Sequence, residues 1–111
     1  KEETMFFEYN KIDIEELGEG SFRKILASDD KLTIIEVSFE QGAKGTPHLH
    51  KEYDQVTYIL EGSFEFTIDN QKHICYKGDS FYIHPNIFHG ITCLKAGKVL
   101  DIFTPQRQDI H

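Results

Sequence analysis

Two histidines separated by a single residue, His48 and His50, are the most chemically informative positions in this sequence. Side chains at alternate positions of a β-strand point to the same face, so the two imidazoles can bind one metal ion from a single backbone segment. Gln55 and His89 lie downstream and offer an amide oxygen and a third imidazole. Together these four side chains predict a metal site with three nitrogen ligands and one oxygen ligand.

The glutamine affects the chemistry expected at such a site. An amide oxygen is a neutral and weaker ligand than a carboxylate, so a divalent ion bound by Gln55 would keep its full formal charge. It would then be a stronger Lewis acid, at some loss of metal affinity. Imidazole and oxygen ligands suit Ni, Mn, Fe, Co or Zn, and the sequence does not distinguish among these divalent transition metals.

The segments that must position these side chains are predicted to be short β-strands. Turn-forming residues separate apolar, β-branched stretches at roughly 8–12-residue spacing, which is typical of a sandwich or a barrel. The predicted strands cover residues 31–39, 54–60, 63–69, 73–76, 80–83, 88–94 and 98–103. No stretch sustains a helical period, and only residues 13–17 suit one short helical turn. We expect an all-β single domain, with residues 1–20 as an N-terminal arm and residues 21–111 as the barrel.

Charge and composition exclude several classes of partner. The net charge of −7 argues against nucleic-acid binding, which depends on clustered lysine and arginine. No apolar run approaches the roughly 20 residues of a membrane span, and no secretory leader is evident at the start of the sequence. Cys75 and Cys93 lie in apolar strands and are predicted to be buried free thiols. We therefore expect a cytoplasmic protein without a membrane or nucleic-acid partner.

The spacing of the histidines and glycines resembles the two motifs of the cupin superfamily, whose fold is a small jelly-roll β-barrel. The first motif is matched at every spacing, with glutamine in place of glutamate, by Gly42, His48, His50, Gln55 and Gly62. The second motif is matched by Gly78 and His89, although His84 stands where proline is usual and Asn86 where glycine is usual. Asn86 is a mild change, because asparagine tolerates positive φ better than most residues.

Within this superfamily, residues 22–27, 55–68 and 100–107 resemble the KdgF-type pectin-degradation cupins, and the similarity extends over residues 22–109. That family opens the ring of 4,5-unsaturated monouronates and ketonises the product to a linear keto sugar acid. The resemblance implies this isomerase-type activity, a small anionic sugar as substrate, and a homodimer. It implies metal ligands at His48, His50, Gln55 and His89 and catalytic or substrate-contacting residues at Gln55, Asp101, Phe103 and Arg107.

The residue types agree with those roles. Strand alternation places Val99, Asp101 and Phe103 on one face, where a carboxylate is costly to bury unless it is paired or functional. We expect Asp101 to act as a general acid and base, and Phe103 to form a wall or base of the cavity. Arg107 can bind a carboxylate through two nitrogen atoms, which an anionic substrate needs on an acidic protein. His84 is a secondary candidate for the site.

Two other functions remain open at the level of the sequence. A metal-dependent dioxygenase is one, because related barrels bind iron with three histidines; it would consume oxygen and require Fe(II). A cupin that binds a sugar or a small acid without catalysis is the other. It would bind its ligand without turnover and would tolerate Asp101→Asn in binding.

Overall fold

The computed structural model describes residues 5–110, and within them it shows eight β-strands and no α-helix. The all-β prediction is therefore confirmed. Two short 3₁₀ turns, Tyr9–Lys11 and Gln108–Ile110, flank the strands. The strands are β1 Glu15–Gly18, β2 Ser21–Asp29, β3 Leu32–Phe39, β4 Lys44–His48, β5 Asp54–Ile68, β6 Gln71–Tyr76, β7 Ser80–Ile83 and β8 His89–Thr104.

All strand pairs are antiparallel, and the long strands β5 and β8 lie side by side at the centre. Each of these two strands contributes to both faces of the barrel. The first half of β5 pairs with β7 and with the second half of β8. On its other side this half of β8 pairs with β3, β3 pairs with β2, and β2 pairs with β1. The second half of β5 pairs with β6 and with the first half of β8, which pairs with β4. The two halves form the two walls of a jelly-roll cavity.

The sequence predicts chain turns at Gly62 and around Gly97, and this prediction is wrong because both segments continue as strands. The two glycines lie where β5 and β8 bend against one another. A Cβ atom at Gly62 would lie 2.4 Å from the Lys95 carbonyl oxygen, and one at Gly97 would lie 2.1 Å from the Glu61 carbonyl oxygen. Gly62 also has a φ of 80°, which other residues adopt at a cost. These positions therefore bend two touching strands and do not reverse the chain.

The N-terminal segment adds a strand that the sequence does not predict. The prediction of a helical turn over residues 13–17 is wrong, because β1 lies there and pairs with β2, with Glu15 opposite Arg23. This pairing satisfies backbone groups at the edge of β2 that a helical turn would leave unpaired. Upstream, Tyr9 donates a hydrogen bond to Glu36 (2.7 Å) and accepts one from Lys24 at its carbonyl oxygen (3.0 Å). Residues 1–4 of the predicted arm lie outside the described residues.

The core lies between the two walls and follows the alternation of residues in the second half of β5, where the sequence predicts Phe64, Phe66 and Ile68 on one face. Phe64 is fully buried, Phe66 is nearly so, and Ile68 packs against the core. Cys75 and Cys93 are buried free thiols, as predicted. They pair with Phe64 from opposite sides, so β5 separates them and they cannot form a disulfide. No helix in the described part of the chain is long and apolar enough to cross a membrane.

We predict that Gly97→Ala lowers the free energy of unfolding by about 3 kcal/mol, because backbone atoms of a paired strand block the added methyl group. Gly18→Ala is the matched control, since its Cβ atom would meet only the Ser21 hydroxyl at 3.8 Å. This control should stay within about 0.5 kcal/mol of the unsubstituted protein. Urea denaturation measures both, and equal stability of the two variants would contradict the close approach of β5 and β8.

Candidate metal centre

Three histidines converge at one end of the cavity, and they arrive from two strands and a loop. His48 ends β4 and is the register partner of His89, which begins β8. His50 follows in the loop after β4, where its carbonyl oxygen accepts a hydrogen bond from the Asn86 backbone N–H (2.7 Å). One ring nitrogen from each histidine lies within 4.8 Å of the others, and the Nε2 atoms of His48 and His50 are 3.2 Å apart. This spacing allows all three imidazoles to bind one ion.

Backbone carbonyl groups fix the orientation of two of the rings. His48 Nδ1 lies 2.8 Å from the Thr46 oxygen, and His89 Nδ1 lies 2.9 Å from the Ile87 oxygen. A carbonyl oxygen only accepts hydrogen bonds, so each Nδ1 carries the proton and each Nε2 lone pair remains available to a metal. This is the usual support of metal-binding histidines in proteins.

The electrostatic environment keeps the imidazoles in the form that binds metals. Burial, followed by the nearby Arg107 charge, lowers the pKa of His50 to about 4. Burial also lowers the pKa of His89, against the opposing effect of its hydrogen bond to the Ile87 carbonyl group. Both rings are therefore neutral near pH 7, and neutral imidazole is the state that binds metal ions.

Gln55 supplies the strongest sign that a metal fits here. Its amide nitrogen donates to the Thr57 hydroxyl oxygen (3.0 Å) and to Asp101 Oδ1 (3.3 Å). Because an ionised carboxylate only accepts, this contact identifies the NH₂ group and fixes the position of the amide oxygen. That oxygen, Oε1, is buried and has no hydrogen-bond partner within the described residues. An unpaired buried acceptor costs about 1–3 kcal/mol, a penalty that a bound cation would remove.

Asp101 lies next to this amide and faces β5 directly. The Thr57 hydroxyl group donates to Asp101 Oδ1 at 2.6 Å, across a register pair of β5 and β8. Burial raises the pKa of Asp101 to about 6, although the hydrogen bonds from Thr57 and Gln55 act in the opposite direction. The carboxyl group is therefore suited to both accept and release a proton near neutral pH. The sequence analysis did not identify Thr57. It lies two residues after Gln55 on the same strand, and this spacing indicates that the two side chains share a face.

An aromatic and cationic group closes this part of the cavity. The Phe103 ring is buried and packs edge-on against His50, with ring centroids 5.5 Å apart. The Arg107 guanidinium carbon lies 4.7 Å from the Phe103 centroid and 5.7 Å from that of Tyr53. Asp109 accepts hydrogen bonds from Arg107 Nε (2.9 Å) and Nη2, so only part of the guanidinium group remains free. Sequence reasoning missed Tyr53 and Asp109, because neither belongs to a periodic strand pattern.

One cavity of about 690 Å³ contains the complete set of predicted site residues, namely His48, His50, Gln55, His89, Asp101, Phe103 and Arg107. The secondary candidate His84 is not among its lining residues. His84 is exposed and packs against Tyr82, with ring centroids 4.6 Å apart. The residues present thus fit a divalent transition metal with nitrogen and oxygen ligands.

Comparison with known proteins agrees with this geometry. Residues 35–103 match the model of the cupin domain family. The chain is 45% identical over 96 residues to the pectin degradation protein KdgF of Dickeya dadantii, covering 86% of this chain and 87% of the relative.

Two solved structures share the fold over nearly their whole length. The structure of KdgF from Halomonas sp. has a TM-score of 0.92 and 34% identity, with 98% of this chain and 100% of that chain covered. An RmlC-like cupin from Shewanella frigidimarina also has a TM-score of 0.92, with 32% identity and coverage of 98% and 97%.

We predict that His89→Ala lowers the affinity for Co²⁺ by more than about 100-fold. Removing a residue that only hydrogen-bonds to a metal ligand already lowers metal affinity by about 10–100-fold, and this substitution removes the ligand itself. His73→Ala is the matched control, since His73 is exposed on β6 and does not line the cavity. Calorimetric titration of metal-free protein with Co²⁺ measures both affinities. Unchanged Co²⁺ binding by His89→Ala would contradict the assignment of this centre.

Proposed function

This chain belongs to the cupin family and to its KdgF-type branch, and from that premise we propose that it converts 4,5-unsaturated monouronates to linear ketonised sugar acids. The single observation that supports this reaction best is the contact of Asp101 with the Gln55 amide. Asp101, whose pKa is raised, thus lies beside the candidate metal ligands, and this position supports an acid–base role for it. The Dickeya dadantii relative is named a pectin degradation protein, which points to acidic sugars as substrates.

The proposed reaction is an isomerisation, so it needs no oxidant and no second substrate. The bond between C1 and the ring oxygen breaks while the C1 hydroxyl group loses its proton and becomes an aldehyde. The ring oxygen then becomes the oxygen of an enolate at C5. The proton taken from the C1 hydroxyl group is added at C4 and converts this enolate to a ketone, so protons and electrons balance.

Asp101 is proposed to move the proton in both steps. A carboxyl group with a pKa of about 6 can accept the C1 hydroxyl proton and deliver a proton to C4. His48, His50, Gln55 and His89 would hold the divalent metal (Ni, Mn, Fe, Co or Zn), which supplies Lewis-acid polarisation of a substrate oxygen when bound. Thr57 and Gln55 hold the Asp101 carboxylate in place through their hydrogen bonds.

Arg107 and Phe103 are proposed to position the sugar. Asp109 leaves part of the Arg107 guanidinium group free, and this part can bind the substrate carboxylate or a neighbouring oxygen. Phe103 offers a flat apolar wall beside His50. Both residues would orient the ring toward Asp101 and exclude water from it.

We also propose a cytoplasmic homodimer. Exposed apolar side chains on the outer surface, including Ile14 and Tyr58, support self-association. The two buried free thiols suit a reducing compartment. Light scattering at several protein concentrations would measure the mass, and a monomer at all of them would contradict the dimer.

We predict that Asp101→Asn lowers kcat for 4,5-unsaturated galacturonate by at least about 100-fold, because it removes the general acid and base. Asp54→Asn is the matched control, since Asp54 lies on the same pair of strands but its carboxylate accepts a hydrogen bond from the exposed Tyr82. Its turnover should stay within about 2-fold of the original. Loss of absorbance of the unsaturated bond measures the rate against spontaneous decay.

Turnover of the same substrate also separates the proposed reaction from a dioxygenase and from binding without catalysis. An oxygen electrode should record no oxygen consumption during turnover, whereas a dioxygenase would consume oxygen. A binding protein without catalysis would leave the spontaneous rate unchanged. Either result with metal-loaded protein would contradict the isomerase assignment.

A further inference from the structure

The cavity has a second cationic position, at Arg23, that the proposed reaction does not use. The sequence contains two arginines, Arg23 and Arg107, and both line the same cavity. Arg23 lies on the inward face of β2, between the buried Ser21 and Ile25, which packs against the core. An inward-facing charge in a barrel is costly, so it calls for a partner or a ligand.

The contacts of Arg23 satisfy only part of its guanidinium group. Arg23 Nε forms an ion pair with Glu15 Oε1 at 2.6 Å. The Arg23 side chain is 21% exposed, whereas that of Glu15 is 47% exposed, so solvent screens the carboxylate more. The terminal nitrogens of Arg23 have no hydrogen-bond or ion-pair partner among residues 5–110, and they carry four N–H donors. These donors are available to a ligand in the cavity.

Arg23 is separated from the reacting group by the width of two strands. It pairs with Val37 of β3, which pairs with Val99 of β8, two residues before Asp101. Strand spacings of about 4.8 Å and residue rises of about 3.4 Å place the Arg23 and Asp101 Cα atoms about 12 Å apart. Lys44 and Glu19 are further charged residues in the lining of the same cavity. Arg23 thus lies apart from Asp101.

We propose that Arg23 forms a second anion-binding position, which holds a carboxylate of an acidic sugar through its terminal guanidinium nitrogens. This inference rests on the proposed function, which brings uronates into the cavity. Cavities of about 300–1,000 Å³ typically hold drug-sized ligands, so about 690 Å³ leaves room for more than one sugar ring. Arg107 is engaged by Asp109 through two nitrogens, whereas Arg23 is engaged by Glu15 through one.

The bound carboxylate has two possible sources with the same chemistry. It is either the single carboxylate of a monouronate or the carboxylate of the second sugar of a diuronate. Saturated galacturonate and digalacturonate are stable probes of the two sources, because neither contains the unsaturated bond that reacts. Calorimetric titration of the metal-loaded full chain measures binding of each probe without turnover.

Arg23→Gln is expected to weaken binding of at least one probe by about 10-fold or more, the value of a hydrogen bond to a charged group. Weaker binding of both probes would show that Arg23 holds the single carboxylate of a monouronate. Weaker binding of digalacturonate alone would show that Arg23 holds the carboxylate of the second sugar. Glu15→Gln is the matched control, because it removes the same ion pair. It should leave affinity unchanged or raise it, since the competing carboxylate is gone.

Two results would overturn this inference. One is unchanged affinity of Arg23→Gln for both probes, and the other is equal weakening by Glu15→Gln, which would show that only the ion pair matters. If Arg23→Gln does not fold, Arg23→Lys is the alternative variant, because lysine keeps the positive charge but lacks the planar guanidinium group. Arg23→Lys should weaken binding of the probes several-fold. Unchanged affinity of this variant would equally overturn the inference. Wild-type protein without turnover but with Arg23-dependent binding would contradict the proposed function and leave this inference supported.

Discussion

The orientation of the Gln55 amide is the constraint on which the site depends. Asp101 accepts hydrogen bonds from both Thr57 and the Gln55 amide nitrogen, so the amide cannot turn its oxygen toward the carboxylate without creating repulsion. Oε1 is consequently left buried and without a partner in the described structure. One cluster of side chains therefore orients both the amide oxygen that we propose as a metal ligand and the carboxyl group that we propose as the acid and base. Removing either member would disturb the other.

The barrel brings this cluster to the histidines through its two central strands. β8 begins with His89 and carries Asp101 and Phe103 near its other end, while β5 carries Gln55 and Thr57 opposite them. A straight pair of strands of this length could not enclose a cavity. The bends at the touching glycines fold both strands over, so residues from distant parts of β8 line one space. Backbone packing and chemistry are thus linked through the same two strands.

Much of this arrangement could be predicted from the sequence, because its signals are local. The alternation in β5 predicts the buried faces, and the spacing of the histidines and Gln55 predicts which side chains share a cavity. The continuous course of β5 and β8 could not be predicted, since glycine marks a sharp bend and a turn in the same way. β1 depends on a free edge of β2, which exists only in the folded sheet.

The roles of the two arginines show the same limit. The type of residue indicates anion binding at Arg107, but the pairing with Asp109 depends on an irregular segment with no periodic signal. Arg23 lies on β2, which is not among the strands predicted from the sequence, and only the structure shows that this arginine lines the cavity that contains the histidines.

A crystal structure of the metal-loaded protein with anomalous diffraction data would show which atoms bind the metal. We expect one metal peak per chain, bound by the Nε2 atoms of His48 and His89, a ring nitrogen of His50 and Oε1 of Gln55. We also expect the Gln55 amide nitrogen to keep its contact with Asp101. A metal bound elsewhere, or bound by the three histidines while the Gln55 oxygen faces away, would contradict this assignment.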